Sequence, residues 1–173
     1  MRLTTLPAHV VLAAIAAVSV AAVAIAATLQ HALGYPPCAW CVLQRLIFLV
    51  IAAAALVGIA WRSPIGLRLS ALLAFAIAAC GMAAALWQHF VAASSLSCDL
   101  SLADRIVAGL QLDAQLPWLF APMASCADAA VKLLGIYFEF YSLALFTAIA
   151  ATGIWLVARS FGRDRHGVSA AMR

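Results

Sequence analysis

Four times along the chain, apolar residues run far enough to cross a lipid bilayer, and short polar breaks separate the runs. The first extends from His9 to Leu29, the second from Cys41 to Trp61, the third from Leu69 to Phe90 and the fourth from Phe140 to Ala158. As a helix rising ~1.5 Å per residue, each spans a hydrocarbon layer of ~30 Å. Periodicity alone does not divide the first two runs, because no Lys, Arg, Asp or Glu stands between Arg2 and Arg45. Pro36 and Pro37 divide them, since proline lacks an N–H and biases the preceding residue away from helix. Trp61-Arg62-Ser63-Pro64 closes the second run with an interfacial aromatic, a cation and a helix stop. The pattern predicts an all-α integral membrane protein, a bundle of four transmembrane helices forming a single membrane domain over residues 1–173.

Residues 91–139 break the pattern, holding five of the six acidic residues: Asp99, Asp104, Asp113, Asp128 and Glu139. Such a segment belongs in water or at an interface. Ser101 and Asp104 have capping-box-like spacing, and Leu102, Ile106 and Leu110 recur every four positions. They predict a short amphipathic helix lying on the membrane surface.

Composition removes the soluble alternatives. The chain is 68% hydrophobic and 9% charged, with a mean hydropathy of +1.11, where soluble domains carry roughly 25% charged residues. Its net charge of +4 is spread over the ends of apolar runs, which speaks against a nucleic-acid patch and for membrane topology. Arg2, Arg62, Arg68, Arg159, Arg163, Arg165 and Arg173 fall on one side of the four-span arrangement, whereas Arg45, Arg105 and Lys132 fall on or near the other. By the positive-inside rule, residues 1–8, 62–68 and 159–173 are cytoplasmic, and residues 30–40 and 91–139 face the opposite side. Arg2, the first apolar run and Ala24-Ile25-Ala26 also have the form of a cleavable signal peptide. The run is longer than a typical signal core and is read as a span.

The five cysteines are then read by position. Cys38-Ala39-Trp40-Cys41 opens the second helix, where one turn brings two sulfurs together and the positive helix end favours a thiolate. The same spacing also serves as half a zinc site. Cys98 and Cys126 lie in the acidic segment, on the same extracytoplasmic side as Cys38 and Cys41. Four cysteines on an oxidising face suit thiol–disulfide exchange; a structural disulfide between Cys98 and Cys126, or a four-cysteine zinc site, are the blander readings. Cys80, midway along the third span, reads as a small packing residue. Arg45 is the one charge inside a span and shares a helix face with Cys41. It is either a snorkelling anchor or a cation that stabilises the Cys41 thiolate and negative charge on a bound oxidant. His89, at the outer end of the third span, is either in reach of a bound oxidant or an interfacial histidine, and reads as the latter.

Pro37-Cys38-Ala39-Trp40-Cys41-Val42-Leu43-Gln44-Arg45 resembles the DsbB family of disulfide bond formation proteins, and the likeness covers nearly the whole chain. The resemblance implies a four-helix bundle in the bacterial inner membrane, both termini cytoplasmic, with a long periplasmic loop. It implies a quinone-dependent oxidase that reoxidises DsbA, a periplasmic thioredoxin-fold protein, and passes electrons to ubiquinone or menaquinone. Since such a donor is itself oxidising, at about −120 mV, its acceptor must be stronger still. By the same resemblance the partner's thiolate attacks Cys98, Cys126 is released and attacks Cys38, and Cys41 faces the quinone with Arg45 beside it. Two features depart from the family pattern. Val131 stands where members often carry a tryptophan, and Glu139-Phe140-Tyr141 stands in place of a Met-Pro pair entering the fourth span. The other function classes are a heme-binding membrane electron carrier, for which His31 and His89 are the candidate ligands, and a structural membrane module. A vitamin K epoxide reductase-like protein shares the chemistry, but its membrane-edge C-x-x-C follows the loop cysteines, and here the order is reversed.

Overall fold

The computed structural model describes residues 6–61, 63–94 and 101–171, with side chains through Ser160. Four of its helices are long and apolar enough to cross a membrane. The first, α1 (Ala8–Leu33), ends at Gly34, whose φ of 70° is the left-handed turn that glycine permits, with its N–H bonded to the Leu29 carbonyl. After the two prolines α2 (Ala39–Trp61) begins. Helix α3 (Pro64–Phe90) starts five residues before the apolar run expected at Leu69. Ser63 caps it by accepting from the Gly66 N–H, and Pro64 takes the first helical position, where its missing N–H costs nothing. A 3-10 turn, Ala92–Ser94, follows. Three short helices, α4 (Leu102–Gly109), α5 (Leu112–Gln115) and α6 (Pro117–Phe120), lead to a hairpin of β1 (Lys132–Leu133) and β2 (Ile136–Tyr137). Its turn residues Leu134 and Gly135 both have positive φ, 52° and 85°, as a two-residue hairpin turn requires. The last described element is α7 (Phe138–Ala171).

Helix α2 packs against α1 on one side and α3 on the other, and α3 packs against α7; α1 and α7 barely touch. The close α3–α7 contact follows from small residues. Ala71, Ala74, Ala78, Gly81 and Ala85 are buried along one face of α3, and lipid-embedded helices associate by such close packing rather than by hydrophobic exclusion. Gly81 leaves room for Phe146, whose ring stacks on Phe48 with centroids 4.1 Å apart. A Cβ there would lie 2.5 Å from that ring. Large apolar side chains such as Ile25, Leu56, Leu73 and Ile154 point outward, the pattern of a bundle solvated by lipid. Cys80 is on this outer surface too. The packing expected of it falls to Gly81 and Ala78, because one residue along a helix turns a side chain about 100° away.

The segment after α3 contains the expected capping box. Ser101 Oγ accepts from the Asp104 N–H at 3.2 Å, and Asp104 Oδ2 accepts from the Ser101 N–H at 2.9 Å. Its buried face, however, is Ala103 and Val107, set against α2, whereas Leu102 and Leu110 are exposed. Small side chains let the helix lie close to the bundle, so its leucine stripe faces away.

Candidate functional site

The site lies where α2 begins. Pro37 precedes Cys38, and the Pro37 carbonyl accepts the N–H groups of Met123 at 2.8 Å and Ala124 at 3.3 Å. That pairing clamps the chain just before Cys126 onto the C-x-x-C turn. Cys38 is fully buried, with Cys41 and Cys126 partly buried beside it in one apolar cluster with Ala39, Leu43 and Ala103. One helical turn brings Cys38 Sγ to 3.1 Å from Cys41 Sγ, and the Cys41 N–H donates to Cys38 Sγ at 3.4 Å. Cys126 packs against Cys38 in the same cluster. The neighbouring Cys126 thiol, followed by Cys41 and by burial, pushes the Cys38 thiol above the ordinary thiol range. The same contact with Cys38 holds Cys126 below it, against an opposing effect of burial.

Below the sulfurs, Gln44 Nε2 donates to Gln88 Oε1 at 2.7 Å, which orients Gln88 Nε2 toward Cys41 Sγ at 3.3 Å. Arg45 is buried, at 5% exposure, which removes the snorkelling reading. Its guanidinium donates to Gln30 Oε1 at 2.6 Å, the Leu119 carbonyl at 2.9 Å and the Ala26 carbonyl at 3.3 Å. All three acceptors are neutral, so within low-dielectric surroundings a positive charge remains beside Cys41. The Leu119 bond also fixes α6 to the bundle, aided by His31 Nε2, which donates to the Trp118 carbonyl at 2.8 Å.

A cavity of about 200 Å³ opens beside these groups. Helix α1 lines it with Val23 and Ala26, α2 with Cys41 and Arg45, α3 with Gln88, and α7 with Glu139, among others. A smaller cavity of about 40 Å³, also bordered by Cys41 and Arg45, adjoins it under Pro36 and Pro37. Both lie in the gap left because α1 and α7 fail to close on one another. An apolar cavity of ~150 Å³ is enough for benzene, so this one accommodates a single substituted ring entering from the lipid. The lining supplies a cation, two amides and a carboxyl group together with aliphatic and aromatic surface, a set of hydrogen-bonding groups suited to a polar ring.

Residues 8–156 match the family model described as Disulfide bond formation protein DsbB. The chain belongs to the DsbB family. A Disulfide bond formation protein B of Aromatoleum aromaticum is 30% identical over 138 residues, covering 78% of this chain and 82% of the relative. One from Pseudomonas syringae pv. tomato is 33% identical over 123 residues, covering 70% and 73%. A Disulfide bond formation protein B 2 from Pseudomonas syringae pv. syringae is 29% identical over 164 residues, covering 87% and 93%. No solved structure matches the chain. Membership in the DsbB family makes this a membrane protein of disulfide bond formation, with thiol–disulfide oxidoreductase activity.

Of the five residues singled out in the sequence, the structure brings Cys38, Cys41, Cys126 and Arg45 to one end of the bundle. Cys98 lies outside the described residues. Sequence reasoning passed over Gln30, Gln44 and Gln88, although an amide inside an apolar span was itself a usable signal, because burying one without a partner is costly. His89 proves to be more than interfacial, since it pairs with Glu139 at 2.8 Å.

Proposed function

We propose that this chain is a quinone-dependent protein thiol–disulfide oxidoreductase that reoxidises a DsbA-like periplasmic thioredoxin-fold protein. The observation that carries it is the lateral cavity in which Cys41 lies beside a buried cation with only neutral partners, while Cys38 and Cys126 cluster with Cys41. In this reading the chain is a multi-pass protein of the bacterial inner membrane with both termini cytoplasmic. The clustering of arginines at residues 62–68 and 159–173 supports that orientation.

The relay starts with disulfides Cys98–Cys126 and Cys38–Cys41. The partner's thiolate attacks Cys98, forming a mixed disulfide and releasing Cys126 as a thiolate. The partner's second thiol then resolves that bond, leaving the partner oxidised and Cys98 reduced. Cys126 attacks Cys38, and Cys41 departs as a thiolate toward the cavity, where Arg45 and the Gln88 amide stabilise its charge. Cys98 attacks Cys126 and frees Cys38, so the loop disulfide is restored and the two electrons rest on the Cys38–Cys41 pair. Closure of that pair, with Cys41 as a thiolate, releases two electrons. A quinone, ubiquinone or menaquinone, supplies in this cavity an acceptor for both. Arg45 and Gln88 would hold its head group, and the gap between α1 and α7 would admit it from lipid.

Purified protein given a reduced thioredoxin-fold dithiol without oxygen tests the proposal. Dithiol oxidation is expected to continue past one loading of the cysteines only when quinone is added. Continued turnover without quinone would overturn the acceptor assignment.

A further inference from the structure

Among the described residues, three buried side-chain polar atoms lack a hydrogen-bond partner: Ser19 Oγ, Trp40 Nε1 and Glu139 Oε2. Only Glu139 carries an acid. It is 2% exposed and stands in the first turn of α7, inside the apolar part of the bundle, where a carboxyl group without full pairing is costly and marks a functional position. Its Oε1 accepts from His89 Nδ1 at 2.8 Å, and its side chain lines the cavity shared with Cys41, Arg45 and Gln88. The His89 ring is set between Phe90, Tyr137 and Phe140, with centroids 4.9, 5.2 and 4.6 Å away, and its side chain is 24% exposed. One carboxyl therefore joins the cavity to a histidine that reaches the outer boundary. Glu139 also belongs to the stretch that replaces the family's Met-Pro pair.

We infer that Glu139 and His89 form a proton-delivery pair: Glu139 Oε2 presents a proton to the cavity, and His89 replaces it from water. The inference rests on the quinone reading above. An acceptor of two electrons there must also take up two protons, and few lining groups release one. The Arg45 guanidinium keeps its protons throughout the accessible pH range, and the Gln44 and Gln88 amides have none to give. The Tyr141 hydroxyl, on Glu139's own helix, is engaged with the Leu133 carbonyl at 2.8 Å. Cys41 leaves the relay as the electron-bearing thiolate. Glu139 is left, facing Arg45 and Cys41 from α2, His89 from α3 and, beyond His89, Tyr137 from β2. For each proton, the Glu139 carboxyl breaks its O–H bond and becomes a carboxylate. His89, protonated from solvent, returns a proton from Nδ1 and is then recharged. Two such passages match one pair of electrons.

The test uses full-length protein in lipid nanodiscs with a short-chain ubiquinone. In Glu139→Gln, single-turnover quinol formation is expected to slow by about 10²- to 10⁴-fold, the usual contribution of a positioned acid. The half-saturating quinone concentration should move far less, and Glu139→Asp should recover much of the rate. Independently of turnover, the reduced-minus-oxidised infrared difference spectrum of the wild type should contain a protonated-carboxyl band that shifts in heavy water and disappears in Glu139→Gln. A wild type without that band, a Glu139→Gln rate equal to wild type, or a loss confined to quinone affinity or yield would each overturn the inference. A wild type that reduces no quinone would instead overturn the function on which it rests.

Discussion

Cys41→Ser is expected to stop quinone-linked turnover while leaving disulfide exchange among Cys38, Cys98 and Cys126 open. The loss should be on the order of 10⁴-fold or more, because residues that act as a unit do not substitute for one another. Serine keeps the size of the side chain but provides no sulfur to close on Cys38, 3.1 Å away. The variant should also collect in one recognisable state. With Cys41 absent, Cys38 remains as a thiol packed against Cys126. As a thiolate it attacks Cys126, joining Cys38 to Cys126 and breaking Cys98–Cys126, so that Cys98 is released as the free thiol and no outside oxidant is needed. Mass spectrometry of non-reduced peptides should recover the 38–126 link. If Cys41→Ser instead turns over quinone normally, or only the 98–126 link is found, the relay is wired differently.

Arg45→Met should raise the half-saturating quinone concentration by about tenfold to a hundredfold, corresponding to a charge-assisted hydrogen bond of roughly 1.5 to 3 kcal/mol. The structure adds a second consequence. Arg45 satisfies Gln30 Oε1 and the carbonyls of Leu119 and Ala26, and methionine leaves all three buried acceptors without that donor. Each costs ~1 to 3 kcal/mol if nothing replaces it, so the thermal midpoint should fall as α6 loosens from the bundle. Arg45→Lys separates the two effects, since it keeps the charge and loses the three-armed geometry. It is expected to regain much of the quinone affinity while remaining less heat-stable than wild type. A half-saturation point unchanged in Arg45→Met, with only the midpoint lowered, would make Arg45 a tether and nothing more.

The four spans were legible because lipid imposes a one-dimensional rule: about twenty apolar residues, ended by prolines, charges or an interfacial aromatic. The paired cysteines and Arg45 were legible because their relation is local, one turn of one helix. What escaped was set by distance along the chain or by helical phase. Gln44 meets Gln88 across 44 positions, and His89 meets Glu139 across 50. No periodicity encodes such pairs. In an alanine-rich span every face of α3 looks equally able to pack, so the choice of Gly81 over Cys80 as the inward residue was hidden until Phe146 was seen against it. The hairpin escaped because Leu134 adopts a left-handed conformation that leucine rarely takes, leaving Gly135 as its one visible signal. The gap between α1 and α7, on which the proposed acceptor site depends, is a property of the assembled bundle rather than of any segment.

The central claim is that electrons leave a protein dithiol through these cysteines and arrive on quinone. Counting both ends in one anaerobic reaction tests it most directly, with purified protein in a lipid bilayer, an excess of reduced thioredoxin-fold partner and a limiting amount of quinone. Two partner thiols should be lost for each quinol formed, in keeping with a two-electron couple. Thiol loss should stop when the quinone is spent, apart from the single loading of the cysteines. Sustained thiol loss with no matching quinol, or quinol formed at the same rate by Cys41→Ser, would contradict it.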